Sequence, residues 1–129
     1  MIAYTETADE ITPQMLRGFF QGWRKPPTRE DHLRILRNSD CIVVALDTDR
    51  SCVVGFITAL TDTVQSAFIP LLEVLPEYQR QGIGSELTRR MLAKLKGIPA
   101  IDLTCDPALQ KFYGKFGMIP SVGMVIRDY

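Results

Sequence analysis

The sequence predicts a mixed α/β (α+β) fold, a central sheet with helices on both faces. Three observations carry that expectation. Strand-like apolar runs at residues 41–46, 52–60, 67–75 and 100–104 alternate with stretches of helical period. The runs at 41–46 and 52–60 are apolar at successive positions, as in strands covered on both sides. The run that ends at Leu75 is stopped by Pro76 and leads through Gly82 and Gly84 into an amphipathic helix. The 129 residues, 46% hydrophobic and 23% charged, suit one domain spanning residues 1–129 with a real core.

Residues 2–5 suggest a short first strand. Thr12-Pro13 reads as a helix start, with Thr12 as N-cap and Pro13 in the first turn. Met15, Leu16, Phe19, Phe20 and Trp23 follow at helical spacing, until Lys25-Pro26-Pro27 ends the pattern. Thr28 then caps a second helix whose apolar face holds Leu33, Leu36 and Ile35. His32, beside Asp31, is expected at the surface. Residues 47–51 are turn chemistry between the runs at 41–46 and 52–60, which form an antiparallel hairpin. Gly55 suggests a close helix approach or a bulge. Residues 67–75 form the central strand, and Pro70 within it implies a bulge. The helix after Gly84 turns Leu87, Met91, Leu92 and Leu95 inward, with Gly97 as its stop. Residues 100–104 form another strand. Asp106-Pro107 opens a last helix with a buried stripe of Leu109, Phe112 and Phe116. Residues 119–126 supply one or two closing strands.

Formal net charge is zero, which argues against a general binder of nucleic acid or anionic membranes. Charge is uneven, however. Residues 79–96 hold five bases (Arg80, Arg89, Arg90, Lys94, Lys96) and one acid, Glu86. The three cysteines, Cys41, Cys52 and Cys105, are dispersed and odd in number. They point to a reducing cytoplasm rather than a disulfide framework. One histidine and scattered cysteines make no metal site. The N-terminus lacks the basic and apolar regions of a signal peptide, and no apolar run approaches the ~18 residues of a membrane span.

Strand, glycine loop and helix together suit a phosphate, because glycines let the backbone approach and a helix's first N–H groups lack partners. A dinucleotide fingerprint would need a third glycine near Leu87, and a P-loop would need Gly-Lys-Ser/Thr; both are absent. The string from Leu72 to Gly84, Leu-x-Val-x-Pro-x-Tyr-Gln-Arg-Gln-Gly-Ile-Gly, resembles the acetyl-CoA signature of the GNAT (N-acetyltransferase) family. The run from Asp106 to Met118, with Phe112-Tyr113 and Gly117, resembles that family's second signature. The two occur in the family's order, and the clear resemblance covers residues 41–126.

That resemblance implies a mixed, mostly antiparallel sheet splayed in a V where CoA binds. It implies acetyl transfer from acetyl-CoA to a primary amine, on a small molecule or a peptide, by direct attack through a tetrahedral intermediate. A CoA-binding module without turnover is the alternative. No metal is implied, and a homodimer is compatible with it. Carried onto this chain, the pyrophosphate cradle comprises Gln79, Arg80 and the N–H groups of Gln81, Gly82, Ile83, Gly84 and Ser85. Arg80, Arg89 or Arg90 pairs with phosphate or simply faces solvent. The backbone of Leu72, Val74 and Leu75 pairs with the pantetheine arm, and the Val74 or Leu75 amide holds a developing oxyanion. Tyr113 protonates the departing thiolate or packs beside the core stripe. Asp106 stands where the family usually has Asn; it is an N-cap and a cofactor contact that cannot donate as an amide would. Glu73, the strand's one acid, is general base, amine-binding group or a solvent-facing residue.

Overall fold

The computed structural model describes residues 1–128. Five strands form one sheet in the order β1-β2-β3-β4-β5: β1 (Ile2–Thr5), β2 (Cys41–Asp47), β3 (Cys52–Thr61), β4 (Ser66–Val74) and β5 (Ala100–Asp102). The first four are antiparallel neighbours, and β5 lies parallel to β4. Helix α1 (Arg29–Asn38) and the chain before it cover one face; helix α2 (Ile83–Lys94) covers the other. A short helix α3 (Gln110–Gly114) follows β5.

The strands read as expected because their side chains alternate between two cores. On β2, Val43 and Ala45 meet the face of α2, with Leu87 and Met91, while Ile42 and Val44 meet the face of α1, with Leu33 and Leu36. Two bulges interrupt this alternation. On β3 the register shifts so that Val54 is extra opposite β2. On β4, Ile69 and Pro70 together oppose Ala59, so the bulge expected from Pro70 is present. It reverses the strand's phase: Ala67 and Ile69 face α2 before it, Leu72 and Val74 after it.

Gly55 sits where α2 comes close to the sheet. A Cβ there would stand 3.1 Å from Leu87, 3.3 Å from the Glu73 carbonyl and 3.3 Å from Val74. Leu87 is fully buried in this contact. Leu87→Ala is expected to cost about 2–5 kcal/mol, because the packed sheet cannot collapse into the space left. Urea unfolding checks it, with a lower midpoint at unchanged slope.

Several expected elements differ. The helix expected after Thr12 is only a 3-10 turn, Pro13–Met15. Gly18 and Gly22 have positive φ (90° and 84°), and so does Phe20 (63°), so the chain turns repeatedly instead of continuing. Leu16 and Phe20 are buried nonetheless, but Trp23 is half exposed. α1 is capped as expected, Thr28 accepting the Asp31 N–H at 3.0 Å. β5 stops at Asp102 rather than residue 104, because β4 leaves it after the Phe68–Asp102 pair. The last helix begins as a 3-10 turn, Pro107–Leu109, and has no fully buried residue. Phe112 and Phe116 pack on each other, while Leu109 is exposed. The strands expected at 119–126 are absent among the described residues. Pro120 and Gly123 interrupt that run, and Ile119, Val122, Met124 and Ile126 are solvent-exposed. No helix among the described residues is long and apolar enough to cross a membrane.

Candidate functional site

The site begins where β4 parts from β5. Pairing between them covers only Ser66–Ala100, Ala67–Ile101 and Phe68–Asp102. Beyond Phe68, β4 has a neighbour only on the β3 side. The Leu75 N–H donates to the Val54 carbonyl at 2.8 Å, so in the antiparallel ladder Leu71, Glu73 and Leu75 bond toward β3. The N–H and C=O groups of Leu72 and Val74 therefore point to the open side. This corrects the expectation for Leu75. Its N–H serves Val54, so it is no oxyanion donor, and its carbonyl already accepts from the Tyr78 N–H at 2.9 Å. The Val74 N–H, unlike that of Leu75, faces the open side.

The loop that follows is held from two sides. Tyr78, in the 3-10 turn Pro76–Tyr78, donates its hydroxyl to Asp47 at 2.6 Å. Asp47 also accepts the backbone N–H groups of Asp49 and Arg50. The Tyr78 hydrogen bond holds the Asp47 carboxyl below its ordinary range against the opposing effect of burial. Gln79 then turns its side-chain amide back to the Val74 carbonyl at 3.0 Å. Gln79 thus acts on the open strand edge itself. Arg80 (φ 65°) and Gly82 (φ 83°) take left-handed backbone and swing the chain into α2.

The first intrahelical bond of α2 is Glu86 N–H to the Gly82 carbonyl, 3.0 Å. The N–H groups of Ile83, Gly84 and Ser85 precede it and have no partner within the helix. Ile83 buries its side chain, and Gly84 lies under α3: a Cβ on it would be 3.7 Å from the Phe112 ring and 3.8 Å from Val74. Strand edge, helix start and α3 thus meet around Gly84. Gln81 and Arg80 are exposed on the loop. Arg89 and Arg90 both pair with the Glu86 carboxylate, and Arg90 also lies 4.4 Å over the Tyr4 ring. Arg80 has no carboxylate partner among the described residues.

Tyr113 is half-buried, edge-on to Phe112 at 5.0 Å, and lines a cleft of about 360 Å³ with Phe68, Thr104, Cys105 and the 118–125 chain. Burial, and secondarily Cys105, push its phenol above the ordinary value. The Asp106 carbonyl accepts the Leu109 N–H at 2.9 Å, but its side chain makes no capping hydrogen bond and is exposed. The expected side-chain cap is therefore not formed, and nothing ties Asp106 to the cradle.

Glu73 faces the other side of the sheet. Its two carboxylate oxygens accept the Phe20 N–H at 3.0 and 3.2 Å. It is not a free solvent-facing acid: burial raises its carboxyl above the ordinary value, and the Phe20 hydrogen bond opposes that only in part. Beyond Phe20 lies a cavity of about 470 Å³ between residues 16–20 and 27–32. His32 lines it, and the expectation of a surface histidine is wrong. The residue is 1% exposed among Phe19, Phe20 and Phe56, with ring centroids 5.2, 4.8 and 4.4 Å away. Burial lowers its pKa to about 4, and its Nε2 is buried without a hydrogen-bond partner. Its position directly before Leu33 and four before Leu36 was the available signal, since those three residues share one helix face.

An open strand edge leading into a helix start is the arrangement expected of the first signature's segment, residues 72–84. The family comparison agrees. The model for the acetyltransferase (GNAT) family matches residues 8–118, and the chain belongs to that family. A candidate acetyltransferase from Deinococcus radiodurans R1 superimposes with a TM-score of 0.94 at 40% identity, covering 98% of this chain and 87% of that one. A GNAT family acetyltransferase from Streptococcus pneumoniae TIGR4 gives 0.75 at 29%, covering 99% and 98%. The uncharacterized N-acetyltransferase ycf52 of Porphyra purpurea is 29% identical over 101 residues, 76% of this chain. The match spans only 58% of that relative's length.

Proposed function

We propose that this protein transfers an acetyl group from acetyl-CoA to a primary amine. The observation that carries the proposal is the continuity of the Leu72–Val74 edge, which has no neighbouring strand on its open side and only Gln79 at the Val74 carbonyl, with the N–H groups at the start of α2 that lack intrahelical partners. An amide-bearing arm can add to the edge as a strand would, while a pyrophosphate rests on the N–H groups of Ile83, Gly84 and Ser85. The residues present fit acetyl-CoA. Gly82 has nothing within 4 Å of where a Cβ would stand, so the loop leaves the approach open. Acetyl-CoA, when bound, supplies an acetyl group activated as a thioester.

The chain's own groups divide the remaining work. Leu72 and Val74 orient the arm, and the Val74 N–H donates toward the thioester oxygen. Glu73, across the sheet from the arm, takes the proton that the acceptor ammonium must lose. Its raised pKa brings it nearer to that task than an ordinary carboxylate. Tyr113 holds the proton for the departing thiolate, and Gln79 fixes the Val74 carbonyl.

The test is CoA-thiol release across a panel of amines, with Glu73→Gln beside the wild type. Transfer to at least one amine is expected. The pH profile of the wild type should rise with pH through the elevated Glu73 pKa and lose activity below it. Glu73→Gln should lower turnover by about 10²–10⁴-fold, the usual range for acid–base catalysis. Folding should survive, because Gln still accepts the Phe20 N–H. A raised carboxyl pKa also means that the group's contribution to stability is greatest at low pH and is lost as pH rises through the folded value. The variant should therefore be no less stable than the wild type at neutral pH. CoA binding without release from any amine would point instead to a CoA-binding module without turnover.

A further inference from the structure

We propose that the acceptor is an amine that also carries an anionic group, held by Arg17 and Arg29 at the cavity beside Phe20. The proposal rests on the acetyl-transfer reading, because it assigns the cavity to the acceptor. Its volume, about 470 Å³, falls within the roughly 300–1,000 Å³ of small-molecule sites. Arg17 and Arg29 both line it, and neither forms an ion pair among the described residues. No carboxylate lines it. The wall is aromatic, Phe19 and Phe20 with His32, and the buried imidazole stays neutral at ordinary pH. Arg17 and Arg29 are thus the cavity's charged lining residues.

The opposite charge stands one residue away. Phe20, which lines the cavity, holds the Glu73 carboxylate through its backbone N–H. The region is therefore polarised, with an anion at the sheet and two cations at the cavity. Glu73 lies behind Phe20 rather than in the cavity lining, so an amine whose nitrogen is directed to that end extends its other end toward the arginines. A carboxylate or phosphate there forms charge-assisted hydrogen bonds with guanidinium, forked if the geometry allows. A second ammonium, as in a polyamine, meets like charge.

Matched pairs test this: phenylalanine against phenethylamine for a carboxylate, and O-phosphoethanolamine against ethanolamine for a phosphate, with cadaverine as the dication. Each is titrated calorimetrically into the CoA-loaded protein, and each is assayed for thiol release. We expect one or both anion-bearing partners to bind about tenfold or more tighter than the neutral counterpart, weakening as salt is raised. Whichever pair shows the preference identifies carboxylate or phosphate. In Arg17→Gln/Arg29→Gln, which alters two exposed side chains, that preference should vanish. Equal or tighter binding of the neutral amines, no binding of any probe, or a preference that survives in the double variant overturns the proposal. The calorimetry stands apart from the chemistry. A salt-sensitive preference without thiol release keeps the anion site and removes acetyl transfer, whereas release that favours neutral amines does the reverse.

Discussion

Gly84→Glu is expected to abolish stabilisation by CoA and leave the unliganded protein folded. Gly84 stands at the second position of α2, under Phe112 and beside Val74. A bare Cβ would meet those neighbours at 3.7 and 3.8 Å, which is ordinary contact, so Gly84→Ala should fold and still bind. Glutamate cannot extend toward Phe112 without displacing the ring. Its other course lies over the N–H groups at the start of the helix. There its carboxylate suits the helix dipole, so the fold tolerates it, but it takes the place proposed for the pyrophosphate. Affinity should fall by about 100-fold or more, close to 3 kcal/mol. Calorimetry and thermal shift with and without CoA check it. Undiminished stabilisation of Gly84→Glu would remove the cradle from the proposal.

The second large effect is expected at Tyr113. Tyr113→Phe keeps the ring that packs on Phe112 and removes only the hydroxyl. The raised pKa means the phenol stays protonated further into the alkaline range than an exposed tyrosine. A proton is therefore available for a thiolate leaving group throughout the neutral range. Turnover should fall by about 100-fold or more, while the KM for acetyl-CoA changes little. Steady-state kinetics at saturating acetyl-CoA settles it. A variant with wild-type turnover would assign Tyr113 to packing alone.

Residues whose behaviour depends on near neighbours were legible in the sequence. The strand, glycine loop and helix from 71 to 87 are visible in the spacing of prolines, glycines and apolar residues. So are the 41–60 hairpin, the Pro70 bulge, the Thr28 cap and the close approach at Gly55. What escaped was decided by distant partners. The chain around Phe20 has helical spacing, but its N–H is held by Glu73, 53 residues away. That contact and the positive φ values at Gly18, Phe20 and Gly22 replace a helix with turns. His32 looks polar beside Asp31, but Phe19, Phe20 and Phe56 close over it. Leu75 looks like part of the open edge, and only the strand register reveals that its amide is spent. The run at 119–126 has strand composition, but a strand needs a neighbour to pair with.

The open part of β4 also matters when nothing is bound. An unpaired strand edge is a template on which another chain can add itself. Here the edge is framed by Pro70 and Pro76, neither of which has an N–H to give. Between them lie five residues, about 17 Å of strand at ordinary rise. That span accommodates a short extended ligand arm. A foreign strand could form only a few ladder bonds before meeting a residue that cannot donate. Proline placement of this kind guards an edge against self-association. The same two prolines that mark the site's ends thus protect the empty protein from its own opening.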